Sequence, residues 1–74
     1  MSYQIKVIWD ADAAVWVATS EDVPGLAIES GSCDVLIEKL HEAVPELIEL
    51  NGEHPKEYRL HYATERTDLV AAYG

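Results

Sequence analysis

The sequence predicts a small α+β domain in which three β-strands precede one helix and a fourth strand follows it. Apolar and polar residues alternate near the N-terminus, which is the period of a half-buried strand. In the middle of the chain the apolar spacing changes to that of a helix with one buried face. After a polar loop the two-residue period returns. The 74 residues leave room for one domain.

The first two strands are predicted to form a hairpin. Apolar or aromatic residues occupy every second position from Tyr3 to Trp9, and the segment from Val15 to Thr19 is rich in β-branched and aromatic residues. Between them, Asp10–Ala13 has the composition of a turn, because aspartate side chains bond to nearby backbone N–H groups. Two such segments joined by a short turn are typical of antiparallel neighbours.

The third strand is predicted to be short. Asp22–Gly25 interrupts the chain. Pro24 followed by Gly25 suits a type II turn, because proline fixes its φ and glycine readily adopts a positive φ. Leu26–Glu29 then forms the strand.

A helix is predicted from Ser32 to Leu50. Ser32 suits the N-cap, Asp34 lies in the first turn where the helix dipole favours an acid, and Asn51-Gly52 is a C-terminal stop. Pro45 predicts a kink, or a break at which a second turn begins. The predicted buried face consists of Leu36, Leu40, Ala43, Val44 and Leu47, flanked by Ile37 and Ile48. The predicted solvent face consists of Asp34, Glu38, His41, Glu42 and Glu49.

The fourth strand contains Tyr58, Leu60 and Tyr62 in alternation with polar or small residues. We therefore expect one domain over residues 1–66 and a short tail over residues 67–74. The apolar tail is compatible with a disordered end, a brief helix or an arm that docks on a neighbouring subunit.

One helix covers one face of a sheet, so the other face needs an explanation. The alternation predicts that Ile8, Trp16 and Ala18 lie on this second face, and His61 is a candidate to join them. Apolar side chains that remain in contact with water usually mark an interface. We expect these four residues to form one; the alternative is that loops or the tail cover them.

The charge of the chain restricts its partners. Fourteen acids against five lysines and arginines give a formal net charge of −9. Nucleic-acid binding depends on neutralising phosphates with Lys and Arg, so direct binding of nucleic acid is not expected. The same charge repels anionic membranes and attracts a basic protein. The alternative is that the acidity serves only to keep the protein in solution.

The sequence indicates a cytoplasmic protein that associates with itself. Its N-terminus lacks the pattern of a signal peptide, and no apolar run reaches the length of a membrane span. Cys33 is the only cysteine, and the three histidines lack paired ligand spacing. Because neither a disulfide nor a metal is indicated, self-association is the remaining way to stabilise so small a domain.

The order and spacing of these segments resemble the HicB-like antitoxin family, in particular a branch of single-domain bacterial proteins of unknown function. The resemblance is carried by Val7–Asp10, Val15–Leu26, Pro45–Leu47 and Leu50–Gly52, and extends over about residues 3 to 64. It implies a partial RNase H-like fold of βββαβ order. It also implies that the chain sequesters HicA, a small basic toxin that cleaves RNA. Fuller members carry a C-terminal DNA-binding domain, for which the ten or so residues after the last strand are too few.

Two other functions are alternatives to toxin binding. The first is a free-standing homo-oligomeric domain with no toxin partner. The second is a metal-dependent nuclease, which needs several converging acids; the candidates are Asp10, Asp12, Asp22 and Glu29. Three of these lie in predicted turns, where aspartate has a local role, and Cys33 has no evident base beside it. We therefore expect no catalysis, no bound metal and no cofactor.

Overall fold

The computed structural model describes residues 1–72, which fold into a four-stranded sheet with a helix on one face. The elements are β1 (Ser2–Asp10), β2 (Val15–Thr19), β3 (Ala27–Ser30), α1 (Cys33–Leu50) and β4 (Arg59–Glu65). The sheet order is β3-β2-β1-β4. Neighbouring strands are antiparallel except β1 and β4, which are parallel. The predicted α+β class and βββαβ order are therefore confirmed.

The two predicted turns have clear physical causes. Asp10 Oδ1 accepts hydrogen bonds from the backbone N–H groups of Asp12 and Ala13, at 3.1 and 3.2 Å. In the second turn the Leu26 N–H donates to the Val23 carbonyl at 3.1 Å. Gly25, at its third position, has a φ of 89°, as a type II turn requires.

The register of the β1–β2 hairpin differs from the prediction. The loop Ala11–Ala14 pairs Asp10 with Val15, so an odd-numbered residue of β1 always lies opposite an even-numbered residue of β2. Directly paired residues share a face of the sheet. Trp16 and Ala18 therefore lie on the helix side, and the prediction that they lie on the second face is wrong.

Helix α1 begins and ends where the sequence predicts. The Ser32 Oγ accepts from the Val35 N–H at 3.3 Å. At the other end the N–H groups of Gly52 and Glu53 donate to the carbonyls of Glu49 and Ile48. This pattern, with Gly52 at a φ of 84°, is a Schellman motif. The helix runs continuously through Pro45, so the break offered as one alternative does not occur.

The core lies between α1 and the sheet. Helix α1 packs against β2 and β3. The buried side chains are Tyr3, Ile5, Val7, Ala18, Val23, Leu26, Leu36, Leu40, Val44 and Ile48.

The tail that follows β4 is described as far as residue 72. Residues 66–72 form no helix or strand, so a brief helix in that part of the tail is excluded. Leu69 and Val70 are 102% and 80% exposed. The last two residues of the predicted tail lie outside the described residues.

Candidate interaction surfaces

The open face of the sheet is where an interface was expected, and the structure changes its membership. Ile8 is 37% exposed and lies on this face, as predicted. The register gives it Val17 as its direct partner, with Val15 two residues along β2. His61, an exposed residue of β4, also lies on this face, because it pairs with Gln4, which is on the same side of β1 as Ile8. Gln4 precedes Ile8 by four positions, and the residue of β4 opposite Ile8 is Glu65.

Ala18 and Trp16 belong to the other face. Ala18 is fully buried in the core. It pairs with Val7 on one side and with Ile28 on the other. Trp16 is half-buried and packs against the core from the end of the sheet. Ala18 therefore has no surface to offer a partner, while Trp16 keeps a partly exposed edge.

Trp16 belongs instead to an aromatic cluster with Trp9 and Arg66. The two indole rings are 5.3 Å apart between centroids, with an angle of 59° between their planes. The Arg66 guanidinium carbon lies 4.3 Å from the Trp9 ring centroid and 5.6 Å from that of Trp16. Arg66 also forms an ion pair of 3.1 Å with Asp68. Sequence reasoning missed this cluster because it placed the two tryptophans on opposite faces.

The outer face of α1 carries a row of acids. Its members are spaced four residues apart and are all exposed: Asp34, Glu38, Glu42 and Glu46. Glu49 extends the acidic surface into the last helical turn, where there is no basic residue. Within residues 1–72 the Arg66–Asp68 pair is the one ion pair, so none of the helix acids is neutralised by a salt bridge. We call these five residues the acidic face.

The candidate nuclease acids do not converge. Asp10 bonds to its own turn. Asp22 Oδ2 accepts from the Gln4 N–H at 2.7 Å, beyond the end of β2, and so replaces a missing strand partner. Among the residues that the structure describes, no group of three or more His, Cys, Asp or Glu side chains could hold a metal ion. Cys33 is a half-buried free thiol that packs against the core.

A groove lies between α1 and β4, on the helix side of the sheet. Its volume is about 410 Å³, and it is lined by His41, Pro45, Tyr58, Leu60 and Tyr62. The Tyr62 hydroxyl is shielded from solvent and has no hydrogen-bond partner among the described residues. Burial raises the pKa of Tyr62. The sequence placed Tyr62 on a strand, but it could not show that the helix leaves this strand partly uncovered.

Comparison with known proteins establishes the class of this α+β domain. The chain belongs to the family described as a domain of unknown function, DUF1902, which matches residues 2–73. It is also similar to a hypothetical protein from the extremely thermophilic bacterium Thermus thermophilus, whose crystal structure is known. The sequences are 39% identical, the TM-score is 0.72, and the match covers 97% of this chain and 100% of the other. No curated protein matches the chain. Across residues 1–72 no helix is long and apolar enough to cross a membrane.

Proposed function

We propose that this chain is an antitoxin-type protein-binding module, which sequesters a small basic RNA-cleaving protein of the HicA-like kind by direct contact. The observation that carries the proposal is the acidic face of α1. Its like charges are exposed and form no salt bridge within residues 1–72. The resemblance of the sequence to HicB-like antitoxins supports the identity of the partner.

The acidic face works against the stability of its own helix. Like charges four residues apart repel each other, and the row contains three such pairs: Asp34–Glu38, Glu38–Glu42 and Glu42–Glu46. Each pair costs about 0.2–0.5 kcal/mol, so the row costs about 1 kcal/mol. Glu49 adds an unfavourable interaction with the negative end of the helix dipole. A basic partner that binds this face would turn the repulsion into attraction.

The chemistry of the partner follows from this charge pattern. A row of carboxylates along a helix presents negative charge at regular intervals, as a nucleic-acid backbone does. Proteins that bind RNA carry the complementary basic surface. A module that occupies such a surface keeps the RNA away from it, and its charge speeds the encounter.

The test is the affinity of the chain for a basic HicA-like toxin at several salt concentrations. The variant Glu38→Gln/Glu42→Gln/Glu46→Gln should raise the Kd by about tenfold or more and reduce its salt dependence. The matched control, Glu21→Gln/Glu29→Gln/Glu57→Gln, removes the same charge from exposed positions outside α1, and should change the Kd much less.

The stability of the variants makes the result unambiguous. The helix variant should unfold at higher urea concentration than the parent chain, because it removes repulsion within α1. Lost binding therefore could not be attributed to unfolding. Equal loss of affinity in both variants would contradict a specific role for the acidic face, and absence of any complex would contradict the proposed function.

A further inference from the structure

The two edges of the sheet are protected to different degrees. The β3 edge has only four residues. Its outward-facing Glu29 carbonyl accepts a hydrogen bond from Lys39 Nζ at 3.3 Å. Short edge strands and lysine side chains are common devices against unwanted strand pairing. The β4 edge has seven residues and shows neither device.

The backbone groups of β4 alternate between β1 and the outside. The Arg59 N–H donates to the Met1 carbonyl at 3.0 Å, so the backbone N–H and C=O groups of Arg59 point towards β1. In a strand the backbone groups of the next residue point to the opposite side, and this alternation continues along the strand. The N–H and C=O groups of Leu60, Tyr62 and Thr64 therefore point away from the sheet. Within residues 1–72 these groups have no hydrogen-bond partner, because β4 pairs only with β1.

The charge of β4 also distinguishes it from the rest of the chain. Arg59 contributes +1 and Glu65 contributes −1, so the strand has a formal net charge of zero. The net charge of −9 therefore comes entirely from the remaining residues. Two copies of so acidic a chain repel each other over most orientations. Approach through β4 brings two neutral segments together.

We propose that β4 is a homodimer interface, at which it pairs in antiparallel fashion with β4 of a second copy about a two-fold axis at Tyr62. This register places Tyr62 opposite Tyr62 and Leu60 opposite Thr64. Each of the three resulting pairs of outward-facing residues exchanges two backbone hydrogen bonds. The two sheets become one continuous sheet of eight strands, twice the four of one chain.

The charges at the ends of β4 select this register. Arg59 of each copy lies directly opposite Glu65 of the other, so the two-fold axis creates two oppositely charged cross-strand pairs. Shifting the register by two residues removes both pairs. On the helix side, Leu60 and Tyr62 of the second copy lie beside the groove and add apolar contact at its open edge.

The proposal is independent of the proposed function, because it uses β4 and leaves the acidic face free. It is tested first by sedimentation equilibrium of the isolated chain at micromolar concentrations. A mass of two chains is expected. A monomer over this range would overturn the proposal. The β4 edge would then be available to pair only with a different protein.

Charge-reversal variants then identify the surface. Arg59→Glu and Glu65→Arg each place like charges opposite each other, and each should raise the dimer Kd by about tenfold or more. The combined variant restores both pairs and should restore the dimer. The control Lys6→Glu makes the same charge change as Arg59→Glu at an exposed position of the central strand β1, and should dimerise normally. A dimer that is insensitive to the single reversals would overturn the proposal.

Amide hydrogen exchange gives a second, residue-specific test. The outward N–H groups of Leu60, Tyr62 and Thr64 should exchange about tenfold more slowly at concentrations well above the dimer Kd than below it. Thr64→Pro, which deletes one outward N–H at a position where an edge strand tolerates proline, should weaken the dimer while the fold persists. Concentration-independent exchange of these three amides would contradict pairing through β4.

Discussion

Trp9 and Trp16 lie directly opposite each other in the β1–β2 ladder, with 5.3 Å between their ring centroids. Their contact favours this register of the hairpin, because slippage by one residue would move the Trp16 ring to the other face of the sheet, away from Trp9. Arg66 covers the pair from the end of β4, with its guanidinium carbon 4.3 Å from the Trp9 ring. The contact joins three strands at the end of the sheet where α1 begins.

The pairing predicts that Trp16 stabilises the fold. Trp16→Ala should lower the free energy of unfolding by about 2 kcal/mol, less than a fully buried tryptophan because Trp16 is half-buried. Trp16→Phe should cost less, because it retains an aromatic contact with Trp9. Urea denaturation followed by circular dichroism measures both changes. A Trp16→Glu protein with native stability but an altered oligomeric state would contradict this role.

The β1–β2 hairpin shows which strand faces the sequence alone could predict. The alternation along β1 correctly predicted that Tyr3, Ile5 and Val7 face the core. The face of β2 depends on the number of residues in the loop. Four loop residues join Asp10 to Val15. If the loop of this sequence instead contained three or five residues, so that Asp10 paired with Ala14 or Trp16, the two faces of β2 would be exchanged. Composition identifies a turn but does not count its residues.

The candidate interaction surfaces also differ in whether the sequence could predict them. The exposure of the acids on α1 followed from helical spacing and could be predicted. The open edge of β4 could not, because it depends on the parallel pairing of β4 with β1 after a helical crossover. The groove beside Tyr62 depends on α1 packing over β2 and β3. Both are properties of how the elements pack, which sequence patterns within each element do not record.

The buried face of α1 should account for much of the stability of the domain. Leu40 is fully buried at the centre of the helix, so Leu40→Ala should cost about 2–5 kcal/mol. Leu50→Ala is the matched control, because Leu50 belongs to the same helix but is 82% exposed. It should change the free energy of unfolding by less than about 0.5 kcal/mol. Similar losses in the two variants would contradict the observed packing of α1.

The Schellman motif at the end of α1 depends on Gly52. Its φ of 84° is unfavourable for residues with a Cβ, although a Cβ at this position would meet no atom within 4 Å. Gly52→Ala should therefore cost about 1 kcal/mol through backbone strain alone. Gly31→Ala is the control, since Gly31 has no positive φ. Thermal denaturation distinguishes the two, and equal stability would contradict the left-handed cap.

Two tyrosines predict how stability changes in alkaline solution. Burial and the nearby Glu53 carboxylate raise the pKa of Tyr3, and burial raises the pKa of Tyr62. Each phenol keeps its proton in the folded state at a pH where the unfolded chain has lost it. The stabilising contribution is therefore fully present below the ordinary tyrosine pKa of about 10 and decreases as the pH rises above it.

Urea denaturation between about pH 9 and about pH 11 should show this decrease. Tyr3→Phe and Tyr62→Phe should each reduce the slope of stability against pH, since each removes one group that titrates differently in the two states. Tyrosinate absorbance provides the direct readout: Tyr3 and Tyr62 should ionise at higher pH in the folded chain than in the unfolded chain. A folded chain in which Tyr3 and Tyr62 ionise near pH 10, as in the unfolded chain, would contradict the prediction.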